Sequence, residues 1–395
     1  MIFRTHRAAS LAAAALLASA GVTALGAPAH AAGTETDLAI TAAGTRMTDG
    51  VEGKVAWIKI ANQGEGTPRK VLVNVDVSKM DDEKMLLVPI TSGECEASGD
   101  LKLELFTCEL DKDEIPAPGG TTEVPIVLLK MDPEVTGPLT APVTISIESD
   151  DDTDDSNNSI EVDVELTPES GVDLGVIVPD VKTRLDLDTG EEKGPLRPGD
   201  STGVYSEVIN QGDQVAKGLK LTYQLPEGVT FGRIDGCEVD SDGRTATCED
   251  KDFLLEPDTI LWLALPITVD EDLEAPITLK GGSLEATAFG ALPVDAPAIH
   301  KGAAKPAFAK AQVRKVEESD FADLDPSDNT DDFAVILPAP AGGGGGGGGL
   351  PVTGVQAGLI GGVGAAVVVA GAVLFLLSRR RRVVLVTPGD EKTNA

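Results

Sequence analysis

The sequence predicts an all-β chain of two tandem β-sandwich domains, with an N-terminal signal peptide and a C-terminal single transmembrane helix. Three observations predict it. Apolar and polar residues alternate at period two in stretch after stretch between residues 36 and 338, which puts every second side chain on one face of a sheet. Turn signals such as "PAPGG", "RPGD", "PEG" and "DTG" separate these stretches, and no sustained helical period interrupts them. The same order of landmarks is also traversed twice.

Residues 1–31 open on "MIFRTHR", continue through an Ala-rich apolar run and close on "APAHA". A basic start, a short apolar stretch and small residues at Ala29 and Ala31 form a secretory signal, with cleavage expected between Ala31 and Ala32.

The first sandwich is expected over residues 32–168 and the second over 169–338. "KVAWIKIANQGEGTPRKVLVNVDV" in the first corresponds to "STGVYSEVINQGDQVAKGLKLTYQL" in the second, with an "NQG" turn at Asn62–Gly64 and again at Asn210–Gly212. Val71, Val73, Val75 and Val77 alternate with Leu72, Asn74 and Asp76. Leu219, Leu221, Tyr223 and Leu225 do the same in the second copy, and Ile160, Val162, Val164 and Leu166 mark a late strand of the first. Each copy then has a cysteine pair, a proline turn, and an Asp/Asn cluster before its last strand, "DDSNNSIEVDVEL" and "DPSDNTDDFAVIL". The second copy is longer, and the excess falls around 290–320, where Lys301, Lys305, Lys310, Arg314 and Lys315 collect in an otherwise acidic chain. A solvated loop with a basic edge strand is the expectation there.

Cys95 and Cys108, then Cys237 and Cys248, lie in local pairs, which in an exported chain read as two disulfides worth about 3 kcal/mol each. Neither pair has the C-x-x-C spacing of a zinc site.

Residues 339–349 form a Pro/Gly-rich spacer whose glycine run, 342–349, behaves as a coil of about 16 Å r.m.s. length. "LPVTG" follows at 350–354. Residues 355–378 are apolar and uncharged, long enough to cross a bilayer as a helix. Arg379, Arg380, Arg381 and Arg382 then stop transfer and keep the tail, 379–395, in the cytoplasm.

Composition excludes several functions. Between residues 32 and 353, Lys plus Arg falls from the chain's 32 to 25 and Asp plus Glu from 65 to 63, a net charge of −38. Such a surface repels nucleic acid and anionic lipid. His300 is the only histidine past the signal, with no serine or cysteine motif beside it, so a hydrolase triad is not expected. The glycine run follows no strand and precedes no soluble helix, which excludes a phosphate loop. Trp57 and Trp262 stand in apolar strands and are expected in the cores.

No catalytic residue and no obligatory cofactor is expected. The weak metal candidates are Asp152, Asp154 and Ser156, at alternate positions with Asn157 able to turn and Asp163 placed to close a loop. Residues 160–166 alternate as a strand, so the helix of an EF-hand is missing. An interstrand Asp/Asn turn is the expectation, with a Ca²⁺ site of extracellular type as the alternative.

Two resemblances follow. "NQG", "LPEGVTF", "CEVDSDGRTATCE", "LEPDT" and "DPSDNT" in the second domain resemble the immunoglobulin-like repeat of many bacterial surface proteins, a domain family of unknown function; "LPEG" has no counterpart in the first. The resemblance implies immunoglobulin-like sandwiches and says little of ligand. Self-made Lys–Asn cross-links occur in some such domains, but a sequence does not display the buried triad they need.

Leu350, Pro351, Val352, Thr353 and Gly354, followed by a span and arginines, resemble the LPxTG cell-wall sorting signal of Gram-positive surface proteins. That resemblance implies a sortase that cuts after Thr353 and passes its carbonyl to an amine of the peptidoglycan precursor, the membrane being a transient partner through the C-terminal helix. Pro351 fixes φ and biases Leu350 to an extended backbone, which suits entry into a groove. The expectation is therefore a non-enzymatic wall-anchored stalk or adhesive module on the outer face of the cell, its precursor in the plasma membrane. The alternatives are a calcium-dependent binding module on a permanent single-pass anchor, and a secreted enzyme of unrecognised type.

Overall fold

The computed structural model describes residues 35–100, 102–187, 191–294 and 323–339. In chain order the first sandwich contains β1 (Leu38–Ala42), β2 (Thr45–Thr48), β3 (Gly53–Asn62), β4 (Leu72–Asp76), β5 (Met85–Pro89), β6 (Cys95–Ser98), β7 (Leu105–Glu109), β8 (Thr121–Lys130), β9 (Leu139–Glu148) and β10 (Ser159–Thr167). One sheet has the order β1-β3-β8-β5, the other β2-β10-β9-β4-β7-β6. All these pairings are antiparallel except β2 with β10, which run parallel in the register Thr45↔Val164 to Thr48↔Thr167.

The second sandwich continues with β11 (Leu174–Ile177), β12 (Thr183–Leu185), β13 (Glu192–Pro195), β14 (Ser201–Asn210), β15 (Gln214–Gln224), β16 (Val229–Phe231), β17 (Cys237–Val239), β18 (Thr245–Leu255), β19 (Thr259–Val269), β20 (Ile277–Pro293) and β21 (Thr330–Leu337). Its sheets run β11-β14-β19-β16 and β17-β18-β15-β20-β21, with β12 and β13 as a separate hairpin. The second order repeats β6-β7-β4-β9-β10 of the first sandwich strand for strand. The parallel pairing of β2 with β10 survives in the second copy as a single bridge, Val181↔Val335.

The alternation seen in the sequence is what builds the cores. Along β3, Ala56, Ile58 and Ile60 face inward against Val73 and Val75 of β4, Ile126 and Leu128 of β8, and Val143 and Ile145 of β9. In the second sandwich Val204, Leu221, Tyr223, Ile267 and Val335 occupy the equivalent layer. Burying each such aliphatic side chain contributes about 1.5–3 kcal/mol. The Tyr223 hydroxyl, fully buried, is satisfied by Ser206 Oγ at 2.7 Å.

The two "NQG" turns are chemically equivalent. Asn62 donates through Nδ2 to the carbonyls of Gly66 and Pro116; Asn210 donates to those of Gln214 and Leu255. Each amide oxygen accepts from the glycine two residues on. Gly64 and Gly212 are required by close approach: a Cβ would stand 2.6 Å from the Glu35 carbonyl oxygen in one and 2.2 Å from that of Gly171 in the other.

Candidate functional site

The outward face of β3 is half-buried, its residues Val55, Trp57, Lys59 and Ala61 all only partly exposed. It packs on the second sandwich within one compact unit, and the joint so formed concentrates the buried charge of the described residues. Backbone and side chain both cross it. The Val55 N–H donates to Gln211 Oε1 at 2.7 Å, the Arg46 N–H to Asp325 Oδ2 at 2.8 Å, and Ser327 Oγ to the Gly44 carbonyl at 3.0 Å. Asp180, which is 7% exposed, accepts from the Thr121 N–H and hydroxyl on one side and the Ala334 N–H on the other.

Two lysines of β3 hold the joint. Lys54 lies in phase with Ala56, Ile58 and Ile60 at the start of the strand, so its side chain points inward and has no exposed area. Its ammonium reaches Asp325 Oδ2 at 2.7 Å, Asp173 Oδ2 at 2.9 Å and Asp328 Oδ2 at 3.1 Å, and donates to the Arg46 carbonyl at 3.2 Å. Lys59 lies on the opposite face of β3, contacts Asp331 Oδ1 and the Asp332 carbonyl of β21, and stands 3.6 Å from Glu123 Oε1. Glu123 is its register partner on β8.

The protonation of these groups follows from burial and from each other. Burial lowers the Lys54 pKa, but Asp328, Asp173 and Asp325 outweigh it and the amine is held well above the ordinary lysine range. Burial pushes Asp173 up to about 7 against the pull of Lys54, pushes Asp323 up to about 6, and raises Asp328 well above the carboxylate range. Asp325 alone is lowered: burial opposes this, but Lys54, Ser327 and the Arg46 N–H prevail. Burial and then Asp331 drive Glu123 to about 8. Several buried carboxylates facing few cations cannot all ionise, so the joint carries protons at neutral pH.

The structure explains the acidic runs of both copies together. Asp152 Oδ2 accepts from the Leu38 N–H and its Oδ1 from the Asp154 N–H, while Asp154 Oδ1 accepts from the N–H and hydroxyl of Ser156, capping a 3₁₀ turn at Asp155–Asn157. Asp323, Asp325 and Ser327 repeat that pattern against Leu174. The metal candidates Asp152, Asp154 and Ser156 therefore form a ladder of Asx turns. In the first copy, Asn157 Nδ2 donates to Asp37 Oδ1 at 3.0 Å. In the second, the equivalent positions are Asp328 and Asp173, two acids, and Lys54 of the other sandwich stands between them. No cluster of three or more His, Cys, Asp or Glu with metal-holding geometry occurs among the described residues.

Both disulfides are formed, Cys95 to Cys108 across β6 and β7 and Cys237 to Cys248 across β17 and β18, with Cα separations of 4.0 and 4.2 Å. They belong with an oxidising compartment.

The tryptophans depart from expectation. Trp57 points out of its core, against Gly175 in the joint. Trp262 is 38% exposed and meets Tyr205 edge-on at 5.7 Å. In both strands the residues on either side, not the tryptophan, are in phase with the core. Ala31 and Ala32, His300, the basic residues from Lys301 to Lys315, the sorting pentapeptide Leu350–Gly354 and Arg379–Arg382 lie outside the described residues. The residues of the joint were missed from sequence. The lysine at position 54, in phase with an apolar face, was a signal for it.

No family model matches the chain, and no curated protein does. Among solved structures, a Salmonella alpha-2-macroglobulin mutant is similar at 12% identity, covering 65% of this chain and 16% of that one, with a TM-score of 0.19. A protein of unknown function from Porphyromonas gingivalis is similar at 15% identity, covering 63% and 92%, TM-score 0.17. The BSP domain of a biofilm-associated protein is similar at 8% identity, covering 64% and 56%, TM-score 0.22. Scores this low carry no argument about function.

Proposed function

We propose that this chain is a non-enzymatic surface protein, joined to peptidoglycan through Thr353, that displays its two acidic sandwiches as one stiff stalk or adhesive module outside the cell. The anchoring half of the reading is supported by the order of segments in the sequence: folded module, glycine spacer, "LPVTG", apolar run, arginines. The stiffness is supported by the joint, and one observation carries it. Lys54, fully buried, belongs by sequence to the first sandwich and by its partners Asp173, Asp325 and Asp328 to the second. Separating the sandwiches would strand those charges, which costs far more than breaking a surface pair. The module therefore moves as a body, and the spacer at 339–349 supplies the slack between it and its attachment point.

Muramidase digestion of walls followed by mass spectrometry of the C-terminal peptide tests the anchoring. The expected peptide ends at Thr353 and carries a wall-derived amine. A chain that continues past Gly354 removes the sortase step and leaves a permanent membrane anchor.

A further inference from the structure

Side chains from three strands converge in the joint around one nitrogen. Lys59 of β3 reaches across to β21, where its Nζ contacts Asp331 Oδ1 and the Asp332 carbonyl. Glu123, the register partner of Lys59 on β8, holds its Oε1 3.6 Å from the same nitrogen. The Asp331 and Glu123 side chains are 11% and 9% exposed, and Glu123 Oε1 has no hydrogen-bond partner. The other Asp331 oxygen, Oδ2, accepts from the Val178 N–H at 2.7 Å. An amine thus touches one oxygen of a buried carboxyl, a backbone donor fixes the other, and a second carboxyl stands beside them.

We propose that Lys59 and Asp331 condense to an amide, a covalent cross-link between the two sandwiches. A proton first passes from Nζ to Asp331 Oδ1, leaving an amine beside a carboxylic acid. The Nζ lone pair attacks Asp331 Cγ, and the displaced carbonyl electrons rest on Oδ2, where the Val178 N–H faces the charge that develops. Glu123 then gives its proton to Oδ1 and takes the surplus proton from Nζ, so that it ends as it began. The Cγ–Oδ1 bond breaks, water leaves, and the electrons on Oδ2 return to restore the carbonyl of the amide. No oxidant, reductant or other reactant is required.

Burial favours the neutral pair from both sides, since it lowers the Lys59 pKa and raises that of Asp331. Asp331 and Glu123 outweigh burial at Lys59 and keep the resting amine charged, so the reaction runs slowly, through a minor form. Contact held by the fold compensates, because well-oriented neighbours react as though at about 10⁵ M or more. Burial, then Asp331, pushes Glu123 up to about 8, which leaves it the proton it must give. Lys54 is no rival, since Asp328, Asp173 and Asp325 together hold its amine charged. The cross-link extends the stiff-module reading above and does not depend on wall anchoring.

The test is the intact mass of the signal-free chain, denatured with its disulfides reduced. The wild type should be lighter than its sequence by one water, and proteolysis should yield a branched peptide containing both Lys59 and Asp331. Lys59→Arg keeps the charge and cannot form the amide, so it should have the full sequence mass. Glu123→Gln should accumulate the lighter species at least about a hundredfold more slowly, the ordinary contribution of a positioned proton donor. A wild type at full mass overturns the proposal. So does a Lys59→Arg chain that has also lost water, which would place the dehydration at an Asp–Gly succinimide such as Asp49–Gly50 or Asp242–Gly243. Cross-linking of Glu123→Gln at the wild-type rate overturns the proton relay. None of these outcomes bears on the wall anchor, which the C-terminal peptide reports separately.

Discussion

At the scale of single residues, Lys54 dominates. Replacing it by methionine keeps the stem and removes the ammonium, leaving Asp173, Asp325 and Asp328 buried without their cation. The expected cost is about 3–5 kcal/mol, the range for breaking one side of a buried ion pair, read from urea unfolding of Lys54→Met beside wild type. A loss below 1 kcal/mol, the range of an exposed pair, would contradict the burial described above. Part of this residue was legible in the sequence: "KVAWIKI" places Lys54 in step with Ala56 and Ile58, a lysine on an apolar face. Its partners were not. Asp173 and Asp325 lie 119 and 271 residues away, and no local spacing encodes a pairing made by packing two domains. The tryptophans failed for the opposite reason. An apolar setting was read as burial, while the period-two phase of the neighbouring residues already placed both rings on the outer face.

At the scale of elements, the strands were the most legible feature, because half-burial on a sheet imposes a period that a reader can count. The cysteine pairs were legible for a second reason, since each joins neighbouring strands of a hairpin. What the pairing does is clearer from the structure. All four residues of β6 are exposed, so that strand gives the core nothing and is held only by its ladder to β7 and by Cys95–Cys108. Reduction is expected to release it locally. In hydrogen exchange, the amide of Glu96, which faces Thr107 of β7, should then exchange at least about tenfold faster, whereas those of Val73 and Val75 in β4 keep their protection. Equal acceleration in both strands would show that the disulfide supports the whole sandwich instead. The hairpin of β12 and β13 had no counterpart in the first copy and was not foreseen, because short strands flanked by "DTG" and "RPGD" look like loop in composition.

At the scale of the whole molecule, the surplus of buried carboxylates sets the response to pH. Asp323, Asp173 and Glu123 are raised to about 6, 7 and 8, above the values near 4 that they hold unfolded. The folded state thus binds protons that the unfolded state has released, and their contribution is complete below about pH 4 and lost as pH climbs through 6 to 8. Asp325, lowered, works the other way and loses its contribution only in acid. The urea midpoint is expected to fall steadily from pH 5 to pH 8.5; a midpoint that rises over that interval would mean these carboxylates are ionised in the fold. The parallel pairing of β2 with β10 has a mechanical meaning as well. Tension between the two ends of the first sandwich draws these strands in opposite directions along their own axes. The register pairs from Thr45↔Val164 to Thr48↔Thr167 then take the load together in shear, where an antiparallel hairpin would unzip one pair at a time.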